Sequence, residues 1–205
     1  MRVACVLRSG GEYNPRHAVA LASQVKQHLP GAELICLSDA QVPGVQTIPL
    51  EHKWPGWWSK MELFSPKIEG DLLYFDLDTV ILGDISEIIP DKLTLLRDFY
   101  RDGLRREEGL QSSMMYLPEE DRAEVWDVFA RNPARAIMEY FRGGDQAFLE
   151  KLYMDRAERW QDVHPGVVVS YKVHCRKGVP EDAKVICFHG RPRPWTVPEY
   201  KRFYE

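Results

Sequence analysis

The segment Leu72-Leu73-Tyr74-Phe75-Asp76-Leu77-Asp78 constrains this chain more than any other stretch. Four consecutive apolar residues fit a strand buried on both faces, as in a parallel α/β sheet. Running straight into two carboxylates, that strand sets acidic side chains at the carboxyl end of the sheet, where open α/β sheets bind ligands. Alternation along an extended strand would point Asp76 and Asp78 to the same side. Two like charges held so close repel unless a proton or a cation relieves them, and a hard divalent metal is the natural occupant. A bare Asp-x-Asp also ends strands in solvated loops, so the pair does not decide by itself.

The flanking sequence supplies the rest of a sheet. Val3–Leu7 is a short apolar run broken by Ser9-Gly10-Gly11. Ala18, Leu21, Ala22, Val25 and Leu29 then recur at helical spacing until Pro30-Gly31 stops them, and Ala32–Leu37 closes a β-α-β unit in Ser38-Asp39. Further strands are expected at Val45–Ile48, Leu93–Leu96, Ser113–Leu117, Val167–Tyr171 and Val185–Phe188, and an apolar run Val80-Ile81-Leu82 follows the acidic pair until Gly83-Asp84 turns away. A short amphipathic helix should follow the Trp-rich turn Trp54-Pro55-Gly56-Trp57-Trp58 and run through Phe64. Other helices are expected near Asp121–Phe129, Pro133–Phe141 and Asp145–Leu152. No repeat, low-complexity tract or linker divides the chain, so residues 1–205 read as one mixed α/β domain.

Composition narrows the function classes. At 44% hydrophobic and 28% charged, the 205 residues match an ordinary globular chain and exclude disorder. No apolar stretch approaches the ~18 residues of a transmembrane segment, and Met1–Arg8 reads as a first strand, with too short an apolar run for a secretory signal. A net charge of −4 argues against a general nucleic-acid binder. Cys5, Cys36, Cys175 and Cys187 lack CxxC spacing and three lie in apolar runs, which fits buried free thiols in a reducing, cytoplasmic setting.

Three other constellations invite chemistry. His189 leaves a buried strand into Gly190-Arg191-Pro192-Arg193-Pro194-Trp195, joining an imidazole suited to manganese-class metals with arginines suited to a diphosphate. It also reads as a surface histidine on a wrapping tail. Gly143-Gly144-Asp145-Gln146 opens a helix, where Asp145 would serve equally as an N-cap. Lys60, after the Trp cluster, would by itself be a solvated lysine.

Taken in order, these pieces resemble the nucleotide-sugar-dependent glycosyltransferases of the GT-A fold, in particular the retaining family of glycogenin and bacterial lipooligosaccharide galactosyltransferases. The carriers are Asp76-Leu77-Asp78 with Thr79 through Asp84, Trp57 through Leu63, Gln111 through Tyr116, Gly144-Asp145-Gln146, and the His189–Trp195 tail. The resemblance implies a Rossmann-like domain with a mixed, mostly parallel central sheet flanked by helices. It implies Mn²⁺ or Mg²⁺ held by Asp76, Asp78 and His189, and a UDP-linked sugar donor. Lys60 and Arg193 would sit at the donor phosphates, and Arg8, Ser9 and Asp39 would line the nucleoside pocket. Asp145 and Gln146 would face the donor sugar and the reacting centre. Departures are the adjacent His189-Gly190, Arg193 where the family has lysine, and Ser112-Ser113 where it has Asn-Ser-Gly.

Two rivals use the same residues. Asp76-Leu77-Asp78-Thr79-Val80 also fits the haloacid-dehalogenase-like phosphatases, with Asp76 as nucleophile and Asp78 as general acid. That fold usually opens with this strand, whereas here a β-α-β unit precedes it. A non-catalytic carbohydrate-binding module built on Trp54, Trp57 and Trp58 would leave the acidic pair idle. The acceptor is open: a glycan, a lipid-linked glycan, a protein or modified DNA. Arg97, Arg101, Arg105 and Arg106, interrupted by Asp98, Asp102, Glu107 and Glu108, form a charged loop that would greet a phosphate-bearing acceptor or simply be solvated.

Overall fold

The computed structural model describes residues 1–100 and 109–204. Arg101, Arg105 and Arg106, the heart of the expected basic loop, lie outside the described residues. Strand β1 (Arg2–Leu7) leads through helix α1 (Pro15–His28) to β2 (Glu33–Ser38), then β3 (Gln46–Pro49). A 3-10 helical segment, Gly56–Phe64, precedes β4 (Leu72–Phe75) and β5 (Thr79–Ile81). Next come β6 (Thr94–Arg97), β7 (Leu110–Leu117), and helices α2 (Glu119–Arg131), α3 (Pro133–Glu139) and α4 (Gly144–Tyr153). The chain ends with β8 (Glu158–Arg159), α5 (Trp160–Val163), β9 (Val168–Ser170), α6 (Tyr171–His174), β10 (Val185–Cys187) and α7 (Pro198–Lys201).

The main sheet runs β3-β2-β1-β4-β7-β6-β8. The β1, β2, β3 and β4 neighbours pair in parallel, β7 is antiparallel to both β4 and β6, and β8 rejoins in parallel. A small second sheet, β5-β10-β9, carries the tail. The expected mixed, mostly parallel sheet flanked by helices is what forms.

Alternation decides which face each residue covers. Val3, Cys5, Leu7, Leu73 and Phe75 pack on one side, where Ala18, Leu21 and Val25 of α1 meet them. Ala4, Leu72 and Tyr74 pack on the other, against Met61, Leu63 and Phe64, then Phe129, Phe148 and Leu149 of the helical layer. Fully burying a side chain such as Leu21 or Phe75 stabilises by roughly 1.5–3 kcal/mol. α1 opens at Asn14 with a capping box, its carbonyl oxygen accepting from the Arg16 amide at 3.0 Å while the Asn14 amide donates to His17 Nδ1 at 3.0 Å.

Two local expectations are corrected. The segment before β4 is a 3-10 helix with Trp58 through Phe64 all buried, so it is not amphipathic. It is wedged between the sheet and α2 and α4, which leaves only Gly56 and Trp57 at its start exposed. Nor is Asp76-Leu77-Asp78 an extended continuation of β4. The Thr79 amide donates to the Asp76 carbonyl at 3.1 Å, closing a turn between β4 and β5. The two carboxylates meet because the chain turns there, not because of strand alternation. Sequence patterning also misses β8, α5, α6 and α7, each of four residues or fewer.

Candidate active site

The order of strands reverses between β1 and β4, and the carboxyl ends of those strands diverge there. A cavity of about 740 Å³ occupies the crevice. Arg8 and Ser9 enter it from the end of β1, Asp76 and Asp78 from the turn after β4, Lys60 from the 3-10 segment, Asp145 and Gln146 from the head of α4, and His189 and Arg193 from the tail. Nine of the ten residues singled out from sequence therefore line one space. Asp39 is not among the lining residues, but its carboxylate accepts from the Ser9 amide at 2.8 Å and pairs with Arg8 at 3.3 Å. Burial opposes its charge, yet the Ser9 and Arg8 donors hold its carboxyl below the usual range.

Lys60 is not solvated. Its ammonium is buried between Asp145 at 2.9 Å and Asp76 at 3.1 Å, and reaches the Ser112 hydroxyl at 3.1 Å. Burial works against that charge, but Asp145 and then Asp76 outweigh it and hold the ammonium above its ordinary range. Asp145 is not an N-cap, since Gly143 holds that position without a side-chain bond. Its carboxylate instead accepts from Ser112 Oγ at 2.9 Å. Asp76 accepts from the Tyr74 hydroxyl at 2.5 Å.

Asp78 is 2% exposed. Burial first, and the Asp76 charge second, push its carboxyl above the usual range, while Arg193 and the Tyr13 hydroxyl beside it pull the other way. Arg193 bridges Asp78 and Glu12, donating to Glu12 Oε2 at 2.9 Å. Its guanidinium also lies 4.9 Å from the centre of the Tyr13 ring. The tail is held there by Trp195, stacked on His17 at 3.9 Å between ring centres, and by the Phe188 amide donating to the Asp78 carbonyl.

His189 stacks on Phe99 and sets Nε2 2.6 Å from Ser170 Oγ. Burial, then the Lys172 charge, push its imidazole down to about 4, leaving it neutral at physiological pH. Neutral imidazole is the metal-binding form. A desolvated pair of carboxylates also matches the hard-cation donor set. The third expected ligand is not drawn in, however. Among the described residues no three His, Cys, Asp or Glu side chains converge at metal-binding distance. Lys60 and Arg193 already contact the carboxylates that a cation would take.

Sequence reasoning missed Glu12 and Tyr13, which wall the cavity from the β1–α1 loop, and Tyr74, which braces Asp76. The loop had a signal: Gly10-Gly11 follows β1 at the point where such sheets bind ligands. Gln111, Ser112 and Arg142 also line the cavity.

This sheet order, with its crevice at the strand reversal, is the GT-A fold of glycosyltransferases. No protein-family model matches the chain, and no curated protein matches it by sequence. Among solved structures, an active-site mutant of LgtC superposes with a TM-score of 0.70 at 11% identity, over 99% of this chain and 94% of that one. The glycosyltransferase GlyE of Streptococcus pneumoniae gives 0.67 at 13% identity, over 99% of this chain and 59% of GlyE. The bifunctional glycosyltransferase WbbM gives 0.63 at 12% identity, over 98% of this chain and 48% of WbbM. Galactosyltransferase LgtC has itself been solved with donor and acceptor sugar analogs.

Proposed function

We propose that the chain transfers a sugar from a nucleotide-sugar donor, UDP-linked, to an acceptor hydroxyl with retention of configuration. The observation that carries this reading is the convergence of Asp76, Asp78, Asp145, Gln146, Lys60 and Arg193 in one crevice of a glycosyltransferase fold. In the reaction the bond from the anomeric carbon to the β-phosphate oxygen breaks, and its electron pair leaves with the nucleoside diphosphate. The acceptor oxygen bonds to that carbon on the same face and gives up its proton to the departing phosphate oxygen.

Each residue has a part in that step. Arg8 and Ser9, braced by Asp39, line the nucleoside end. Arg193 and Lys60 bring positive charge to the diphosphate, and Asp145 and Gln146 face the sugar at the head of α4. Asp76 and Asp78 are the residues that would hold Mn²⁺ or Mg²⁺, with His189 as the proposed third ligand. When bound, that cation supplies Lewis-acid charge opposite the leaving group. A phosphatase reading fares worse, because Asp76 is held by both Lys60 and Tyr74 rather than free as a nucleophile. A binding module would have no use for a buried lysine held between two carboxylates.

Thermal-shift titration with UDP and UDP-sugars, with Mn²⁺ or with EDTA, tests the reading. A ligand at about 100 times its Kd stabilises by ~2.7 kcal/mol, a visible shift. The expected result is a metal-dependent shift that is lost in Asp78→Ala. Absence of any shift with every nucleotide would refute it.

A further inference from the structure

Three tryptophans crowd the segment before β4, and two are packed away. Trp58 is 3% exposed and stacks on Phe129, while Trp54 packs on Phe129 and His52. Trp57 differs. It is 58% exposed, lines the cavity, and has no aromatic partner among the described residues. In the concave wall of a cavity, beside polar groups, an exposed indole offers an apolar face on which a ligand can pack.

Its position is fixed from below. The indole edge rests on Gly144, where a side chain cannot fit: a Cβ there would lie 2.4 Å from Trp57 Nε1. Gly144 also has φ of +62°, a conformation glycine accepts without strain. The glycine thus seats the ring immediately before Asp145 and Gln146, the residues facing the reacting centre. Arg142 and Gln146 line the same cavity and offer a guanidinium and an amide to hydroxyl groups.

We propose that Trp57 is the platform on which the acceptor's sugar ring stacks, so that the acceptor is a glycan. This rests on the transferase reading and extends it to the acceptor. One face of a pyranose is a sheet of C–H groups that packs on an indole, while the ring edge carries hydroxyls that need polar partners. A flipped nucleobase would also stack, but a phosphodiester chain needs an excess of basic side chains to track its backbone, and here Arg8, Lys60, Arg142 and Arg193 are matched by Glu12, Asp76, Asp78 and Asp145.

Saturation-transfer NMR with lactose, maltose, cellobiose and a short single-stranded DNA, each with UDP and Mg²⁺, tests the proposal. At least one disaccharide should receive saturation on the C–H protons of one ring face. That signal should fall about fivefold or more in Trp57→Leu and survive in Trp57→Phe, as expected for a lost aromatic contact. The UDP thermal shift should be unchanged in both variants. Equal disaccharide signals in wild type and Trp57→Leu, no disaccharide signal at all, or saturation of the DNA alone would overturn the platform. A Trp57-dependent sugar signal without any UDP shift would keep the platform and overturn the donor reading instead.

Discussion

Lys60 shows how one side chain joins stability to chemistry. Its ammonium is enclosed by Asp76, Asp145 and the Ser112 hydroxyl, so removing it strands two carboxylates in a poorly hydrated wall. Breaking a buried ion pair from one side costs roughly 3–5 kcal/mol, chiefly because the partner is left uncompensated. Lys60→Met should therefore lower the unfolding free energy measured by urea titration by an amount in that range. Adding Asp145→Asn to Lys60→Met should recover part of the loss, since a neutral amide tolerates the site better. A double variant that is the plain sum of the two single losses would show that the pair is not coupled. The same logic explains why the sequence left Lys60 ambiguous. Nothing local distinguishes it from a solvated lysine, and its partners lie 16 and 85 positions further along the chain.

At the scale of elements, α1 carries a pH dependence. His17 accepts the Asn14 amide on Nδ1, which requires that nitrogen to be unprotonated. Burial first, and Arg193 second, push its imidazole down to about 4. An unfolded histidine titrates near ~6.5, so the stabilisation is complete above that pH. It is lost as pH falls through the window toward 4, by on the order of 2 kcal/mol. His17→Gln keeps a capping acceptor without titrating, so its melting temperature should vary less between pH 7 and 4.5 than that of wild type. A slope as steep as the wild type's would move the titration elsewhere. Elements with strong patterning, such as α1, β1, β2 and β4, were legible because a single repeat of apolar residues specifies them. The turn at Asp76-Leu77-Asp78 and the buried 3-10 segment were not, because tertiary packing overrides local period there. α5, α6, α7 and β8 are too short to show any period at all. Nine of the ten expected residues line the cavity because motif order marks the strand ends that carry Arg8, Ser9, Asp76, Asp78 and His189, and the segments that carry Lys60, Asp145, Gln146 and Arg193. Glu12 and Tyr13 meet Arg193 across the crevice, contacts that no spacing encodes.

For the whole molecule, the thiols report the integrity of the core. Cys5, Cys36 and Cys187 are buried in the sheets and Cys175 is half-buried, all four as free thiols. Native protein should expose one thiol to a bulky aromatic disulfide reagent, and denatured protein four. More than one fast native reaction would mean that the sheets open more readily than their packing implies. No helix among the described residues is long and apolar enough to cross a membrane. The cavity has a property that only its inventory as a whole reveals. Four carboxylates, Glu12, Asp76, Asp78 and Asp145, line it together with four cations, Arg8, Lys60, Arg142 and Arg193. A diphosphate arriving alone would draw Arg193 toward itself and leave Asp78 buried and uncompensated. Arriving as a neutral pair with a divalent cation, it would leave the total unchanged. If donor and cation bind as proposed, they would be linked through Arg193, each changing the affinity of the other by the same factor, and the crevice would act as a coincidence detector that fills most readily when both are at hand.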